Sequence, residues 1–259
     1  MLSIFGMITR LRGNIINTHA VNIFNFSTPS SKSWFHQIRD LCLQYGLPHP
    51  AYLLSSPPTK TAFKNLVKKN ILNYWEQRLR AEAAHLDSLK FFNPSFMSLA
   101  SPHPLWTTAG SSPTKVSMAK VQALMISGRY RTEGLCSHWS SNSQGYCRLT
   151  DSCNIMEDIT HILQICPALD NTRVKLAIFT DSYIVDNPDV KHIIEEFCTP
   201  YSPNFCQFLI DCSILPPVIA SVQEKGSKIL YQLFTLTRIW CFSLHRDRLK
   251  LLGRWPHLK

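Results

Sequence analysis

Apolar positions return at helical spacing along much of the chain and predict a mainly helical fold. The longest such stretch covers residues 61–91, where apolar side chains recur every three or four positions without glycine or proline. A second covers residues 226–252 and ends at Gly253, a residue type that commonly follows a helix. Short strands are conceivable only at residues 129–131 and 145–149. We therefore expect an irregular helical assembly with few or no strands.

Capping residues and prolines divide the remaining chain into shorter helices. Ser112-Pro113 and Asn187-Pro188 each pair a capping residue with a proline suited to the first helical turn. Proline-rich stretches at residues 49–58 and 93–114 are predicted to be connectors. The shorter predicted helices cover residues 33–45, 113–127, 169–179 and 188–197. The expected regions are an N-terminal helical region (1–110), a helix with the cysteine cluster (111–180) and a basic helical region (181–259).

Cysteine usage and the apolar windows predict an intracellular protein, nuclear or cytoplasmic, without a membrane partner. Arg10 and Arg12 interrupt the N-terminal apolar stretch where a secretory signal would continue. A reducing compartment leaves the nine cysteines as buried thiols or metal ligands. The most apolar window, residues 229–244, contains Gln232 and Arg238 and is shorter than the about 20 residues of a spanning helix. We predict that it is a buried helix.

Four residues have a spacing that fits a metal site, namely Cys147, Cys153, His161 and Cys166 in the pattern C-x5-C-x7-H-x4-C. Zinc prefers four tetrahedral ligands drawn from thiolate sulfur and imidazole nitrogen. The alternative is a set of small side chains packed in a reduced core. Cys136 and His138 lie just upstream and are possible replacements for one ligand.

The last two ligands are predicted to lie on a helix. Asn154 and Glu157 resemble a capping box, which would start a helix that runs to about Ile165 and stops at Pro167. Residues five apart do not share a helix face well. We therefore expect Cys166 to lie in an unwound last turn.

A net charge of +10, from 27 Lys and Arg against 17 Asp and Glu, favours a polyanionic partner. One candidate patch combines cations with stacking faces next to the cysteine cluster, and a second lies on the C-terminal helix. The first patch consists of Arg129, Tyr130, Arg131 and Trp139. The second is centred on Arg246, Arg248, Lys250 and Arg254, with Lys228, Arg238 and Lys259 adding charge against Asp247. For either patch the alternative is an ordinary solvated helix face.

Several segments together resemble the C-terminal region of LINE-type (non-LTR) retrotransposon polyproteins, downstream of the reverse transcriptase core. The most specific are Ser-Gly-Arg-Tyr-Arg-Thr-Glu at 127–133, Leu-Cys-Ser-His-Trp at 135–139, Gly-Tyr-Cys at 145–147 and His-Ile-Leu-Gln-Ile-Cys-Pro-Ala-Leu at 161–169. Further landmarks of the same region are residues 33–39, 74–76, 102–106 and 251–255. The resemblance extends over most of the chain.

The resemblance implies one zinc knuckle subdomain with Cys147, Cys153, His161 and Cys166 as ligands of a single Zn²⁺. It also implies contact with RNA or DNA during target-primed reverse transcription. The gap of five residues between the first two cysteines is wider than usual in that family. This departure makes Cys147 the ligand most in need of a test, with Cys136 as its rival.

No complete catalytic centre is predicted, and we expect the chain not to be an enzyme. Polymerases need paired carboxylates for two metal ions, and the sequence contains no Asp-Asp pair. A residual metal-dependent nuclease around Asp189 and Lys191, followed by Glu195 and Glu196, is an alternative. Helix capping at Asn187-Pro188-Asp189 explains the same residues. A third hypothesis is a degenerate relic or a helical scaffold for protein interactions.

Overall fold

The computed structural model describes residues 2–8, 34–94, 99, 101–199 and 202–254, and these residues are mainly helical. In these ranges the strand-like pairing is limited to one isolated antiparallel bridge between Tyr146 and Met156. The prediction of a mainly helical fold with few or no strands is therefore confirmed. Residues 129–131 do not form a strand.

Twelve α-helices lie within the described ranges, and we number them in chain order. They are α1 Leu2–Ile8, α2 Trp34–Gln44, α3 Pro50–Ser55, α4 Lys60–Ala84, α5 Pro104–Ala109, α6 Pro113–Ile126, α7 Glu133–Cys136, α8 Asp170–Asp186, α9 Lys191–Phe197, α10 Phe205–Asp211, α11 Pro216–Lys225 and α12 Lys228–Leu251. Short 3₁₀ turns occur at Asp87–Leu89, Pro167–Leu169, Pro188–Val190 and Cys212–Ile214. A π-helical turn covers His161–Ile165.

The chain forms two compact units, and the first comprises Met1–Glu82 with Ser98–Ala100. Its small core includes Phe5, Ile38, Leu53 and Phe63. Helix α1 approaches α4 closely at Gly6, where a β-carbon would lie 2.5 Å from the Phe63 ring. Glycine is therefore required there, because any larger side chain would push the two helices apart.

The second unit comprises Ala83–Met97 with Ser101–Lys259 and is organised around helix α12. This helix packs against α5, α6, α8, α10 and α11. Trp240 is buried on α12, where its ring meets Phe205 edge-on at 5.6 Å and its Nε1 donates to Thr180 Oγ1 at 2.9 Å. Residues 229–244 thus lie in the core helix that the sequence predicted. One hydrophobic core joins side chains from the predicted regions 111–180 and 181–259.

Within the described chain, no single helix is both long and apolar enough to cross a bilayer. The bent pair Phe205–Ile214 and Pro216–Lys225 reaches that length and composition only when the two segments are taken together.

Two short helices lie in stretches that were predicted to be connectors. Helices α3 and α5 both begin at a proline that follows a histidine, at His49-Pro50 and His103-Pro104. In each case the histidine Nδ1 accepts a hydrogen bond from the second helical N–H, that of Ala51 at 3.3 Å or Leu105 at 3.2 Å. Histidine is not among the residues that usually cap helices, so the proline content misled the prediction.

The long helix predicted for residues 61–91 is shorter than expected. Helix α4 ends at Ala84, and Leu86 adopts an extended backbone before a 3₁₀ turn at Asp87–Leu89. Apolar residues keep the helical spacing in the sequence beyond Ala84, but the backbone there is no longer α-helical. Beyond the break, Phe91 and Phe92 pack against the hydrophobic core of the second unit.

Candidate metal centre

A short hairpin between Gly145 and Glu157 positions the first two cysteines. Cys147 N–H donates to Ile155 O and Glu157 N–H donates to Gly145 O, both at 2.9 Å. Helix α7 packs directly on this hairpin at Gly134, where a β-carbon would lie 2.7 Å from Glu157 O. The hairpin returns the chain on itself and places Cys153, at the end of its loop, near Cys147.

The second pair of ligands is brought together by the π-helical turn His161–Ile165. Cys166 N–H donates to His161 O at 2.8 Å, which is a hydrogen bond between residues five apart. Such a wide turn lets positions i and i+5 share one face. The expected unwound last turn is therefore not formed. A π-helical turn brings His161 and Cys166 to the same face instead.

The predicted capping box at Asn154 and Glu157 is not formed. Asp158 begins the helical segment instead, because its Oδ1 accepts from His161 N–H at 2.7 Å. The hairpin hydrogen bonds hold the chain extended through Glu157, and the Glu157 carboxylate turns inward to Arg248. A buried guanidinium binds a carboxylate more strongly than a backbone N–H does.

The four predicted ligands converge in one buried group. One ligand atom from each of Cys147, Cys153, His161 and Cys166 lies within 4.8 Å of all the others. Cys147 Sγ and Cys166 Sγ are 3.7 Å apart, and Cys153 Sγ and His161 Nε2 are 3.5 Å apart. A tetrahedral zinc ion with bonds of about 2.3 Å to sulfur and about 2.0–2.1 Å to nitrogen would give edges of about 3.8 and 3.6 Å. The residues present therefore fit one metal ion.

Burial favours the neutral form of the ligands in the absence of a cation. It raises the pKa of the Cys147 thiol to about 12, and the neighbouring Cys166 and Cys153 thiols add to that shift. It also raises the pKa of Cys166 and lowers the pKa of His161. A neutral imidazole can bind a metal directly, whereas a thiol must first lose its proton.

Positive charge and N–H donors surround the sulfur atoms. The backbone N–H groups of Leu149 and Ala168 donate to the sulfur atoms of Cys147 and Cys166, and both bonds lower the thiol pKa. Arg173 is buried and donates to Ile162 O at 3.3 Å, to Cys166 O and to Asp170 Oδ1. The Arg173 charge is one of the causes that lower the pKa of the Cys166 thiol, which favours a thiolate there. No motif or spacing in the sequence pointed to Arg173.

The two rival residues lie outside the metal-binding group. Cys136 ends helix α7 and is half-buried, and His138 is exposed. Neither contributes an atom to the group formed by Cys147, Cys153, His161 and Cys166. The geometry therefore favours Cys147, because the hairpin turns its thiol toward Cys166.

A buried polar network joins the hairpin to helix α12. Arg248 Nε donates to Glu157 Oε1 at 2.7 Å, and both side chains are almost completely buried. The guanidinium also lies over the Tyr130 ring, 5.7 Å from its centroid. Burial raises the pKa of Tyr130 to about 12 and lowers the pKa of His245 to about 4. The Tyr130 hydroxyl and His245 Nδ1 share a hydrogen bond of 2.9 Å.

The structure separates the predicted nucleic-acid residues into exposed and buried ones. Arg129, Arg131 and Trp139 are exposed, and Trp139 keeps 63% of its surface accessible. Tyr130 is buried in the polar network with Arg248 and His245. Its ring does not face solvent, so Tyr130 does not offer a stacking face to nucleic acid.

The C-terminal patch is less cationic than its sequence suggests. Arg248 and Arg238 are buried, and Arg238 donates to the Thr108 and Leu105 carbonyls of α5. Arg246 and Lys250 share the Asp247 carboxylate at 3.1 and 3.2 Å. Arg254 is exposed, Lys228 pairs with Asp189, and Lys259 lies outside the described residues. The patch therefore retains Arg246, Lys250 and Arg254 only.

The nuclease candidate does not gather metal ligands. Asp189 lies in the 3₁₀ turn before α9 and binds Lys228 Nζ at 3.0 Å, which lowers the pKa of its carboxyl. Lys191 pairs with Glu195 one helical turn away. In the described part of the chain, no cluster of metal-ligand type includes Asp189.

Comparisons with protein-family models, curated proteins and solved structures find no match for the chain. The resemblance to LINE-type polyproteins accordingly stays a prediction. The function of the centre must therefore be inferred from its geometry and from the charge of the chain.

The ion pair between Glu157 and Arg248 should contribute strongly to the stability of the second unit. We predict that Glu157→Gln and Arg248→Met each lower the free energy of unfolding by about 3–5 kcal/mol, because each leaves the partner charge buried alone. The double variant should lose less than the sum of the two, by about 0.5–3 kcal/mol. Urea denaturation of all four proteins measures this coupling. Strictly additive losses would show that the pair is not an interacting unit.

Proposed function

We propose that Cys147, Cys153, His161 and Cys166 bind one structural zinc ion. The observation that carries this proposal is the convergence of one imidazole and three thiols, with ligand atoms within 4.8 Å of one another, in a buried space. Four protein ligands leave no open position for substrate or water, as in structural rather than catalytic zinc sites. Thiolate ligands also favour zinc over magnesium or calcium, which prefer oxygen.

We further propose that the surface around this centre binds single-stranded RNA or DNA. The net charge of +10 supports a polyanionic partner. Arg129 and Arg131 are exposed and form no ion pair with another described residue. Trp139 and Tyr146 expose 63% and 47% of their surfaces, which gives two faces on which bases can stack. Tyr146 was not predicted, because only the hairpin reveals that it faces outward.

Arg148 extends the same surface beyond the predicted residues. Its side chain is about half exposed and is held by the Asn142 carbonyl and by Glu133 at 3.5 Å. These two contacts hold the guanidinium of Arg148, the residue that follows Cys147. Together with the resemblance to LINE-type polyproteins, this supports a nucleic-acid-binding segment derived from such a polyprotein that lacks the polymerase carboxylates.

Metal content tests the ligand set. Purified wild-type protein should contain one zinc per chain, and Cys147→Ser should lose most of it because a serine hydroxyl is a poor zinc ligand. Cys136→Ser removes the rival thiol and serves as the matched control, so it should retain one zinc. Elemental analysis with circular dichroism, which verifies folding, gives the answer. A folded wild-type protein without metal, or loss of zinc only in Cys136→Ser, would contradict the proposed site.

Binding of a single-stranded oligonucleotide tests the proposed surface. Trp139→Ala should weaken the affinity about fivefold or more, because stacking contributes about 1–3 kcal/mol per base. Arg131→Gln should lower the slope of log affinity against log salt by about 0.7. Trp106→Ala is the control, since Trp106 is exposed on α5 outside the proposed surface. Fluorescence anisotropy across a salt series measures both effects. Equal affinities for the wild type, Trp139→Ala and Arg131→Gln would exclude this surface.

A further inference from the structure

Helix α4, in the first unit, has a strongly uneven charge along its length. Its first half contains Lys60, Lys64, Lys68 and Lys69 and no acidic residue. Its second half contains Arg78 and Arg80, which form ion pairs with Glu82 and Glu76 one helical turn away. The cations of the second half are thus neutralised within the helix, whereas those of the first half have no acidic partner within ion-pair distance among the described residues.

Three of the four lysines form a row on one side of the helix. Lys60, Lys64 and Lys68 are successive i, i+4 neighbours, and each is exposed. At a rise of about 1.5 Å per residue, the row extends about 12 Å along the axis. Phe63 is buried against Gly6 and holds this half of the helix on the core of the first unit. The row is therefore presented on a fixed scaffold.

This arrangement is unfavourable for the isolated helix. Cations near a helix N-terminus oppose the macrodipole, and no acidic residue in the first turn offsets them. Like charges at i, i+4, as in Lys60–Lys64 and Lys64–Lys68, repel each other as well. A bound polyanion would remove both costs, because its charges would lie close to all of these ammonium groups.

We propose that Lys60, Lys64, Lys68 and Lys69 form a second nucleic-acid site that binds the phosphate backbone without reading sequence. A nearby groove combines Lys68 and Lys69 with the amides of Asn65 and Asn73. Leu72, Leu99 and Glu76 complete its lining, and the Glu76 carboxylate is ion-paired with Arg80. The two amides can donate hydrogen bonds to phosphate oxygens beside the ammonium groups. The site lies in the first unit and uses no residue of the metal centre, so it goes beyond the function proposed for that centre.

The lysine row fits nucleic acid better than a membrane surface. Helices that lie on membranes combine a cationic face with large exposed apolar side chains that enter the bilayer. Phe63, the aromatic residue within the row, is buried. The large exposed apolar side chains here are Trp75 of α4, which lies beyond the row, and Leu99 in the groove lining, each 38% exposed. Nucleic acid requires only exposed cations and hydrogen-bond donors.

Two charge-matched double variants of the full chain test the proposal. Lys64→Gln/Lys68→Gln removes two cations from the unpaired half of α4, and Arg78→Gln/Arg80→Gln removes two from the paired half. The first should weaken binding of a single-stranded oligonucleotide about tenfold at 0.1 M salt and lower the salt slope by about 1.4, or about 0.7 for each phosphate that is no longer neutralised. The second should leave both quantities close to wild type, within about twofold in affinity.

Stability and metal content keep the outcomes distinct. Lys64→Gln/Lys68→Gln relieves repulsion and keeps good helix formers, so its thermal unfolding midpoint should equal or exceed that of the wild type. Its zinc content should be unchanged, which separates this proposal from failure of the metal centre. Equal losses of affinity in both double variants, or no loss in either, would overturn the lysine site. Lysine-dependent binding to phosphatidylserine vesicles without lysine-dependent oligonucleotide binding would overturn the choice of ligand.

Discussion

Three thiols and one imidazole meet in a space from which water is largely excluded, and much of the second unit is arranged around that constraint. Burial raises the pKa of Cys147 and Cys166, so neither thiolate is stable there without a compensating cation. A divalent ion changes this balance, because it stabilises the charged sulfur atoms directly. Metal binding and folding of this region are therefore expected to be coupled, and the N–H donors and Arg173 would favour the thiolates that a bound metal ion requires.

Two local backbone structures and one long-range ion pair hold the four candidate ligands in place. The hairpin fixes Cys147 and Cys153, and the π turn at His161–Ile165 brings His161 and Cys166 to the same side. The buried pair of Glu157 and Arg248 then ties the hairpin to the central helix α12. Because α12 also organises the hydrophobic core, the metal centre and the core of the second unit are expected to be stabilised together.

The sequence was sufficient for the helical class, the buried core helix and the grouping of Cys147, Cys153, His161 and Cys166, since each depends on local spacing and residue chemistry. It was insufficient where tertiary contacts decide. The i+5 turn at His161 and Cys166 is set by packing, and the inward orientation of Glu157 depends on Arg248, 91 residues away. Counting charges overestimated the C-terminal patch for the same reason: Arg248 and Arg238 are buried with internal partners.

The central claim is that three sulfur atoms and one nitrogen bind a single zinc ion in a closed shell. X-ray absorption spectroscopy of the zinc-loaded full chain tests this most directly, because it reports the type, number and distance of the ligand atoms. The account predicts three sulfur ligands at about 2.3 Å and one nitrogen at about 2.0–2.1 Å, with no oxygen from water. A first shell dominated by oxygen or nitrogen, or one with fewer than three sulfur atoms, would contradict it.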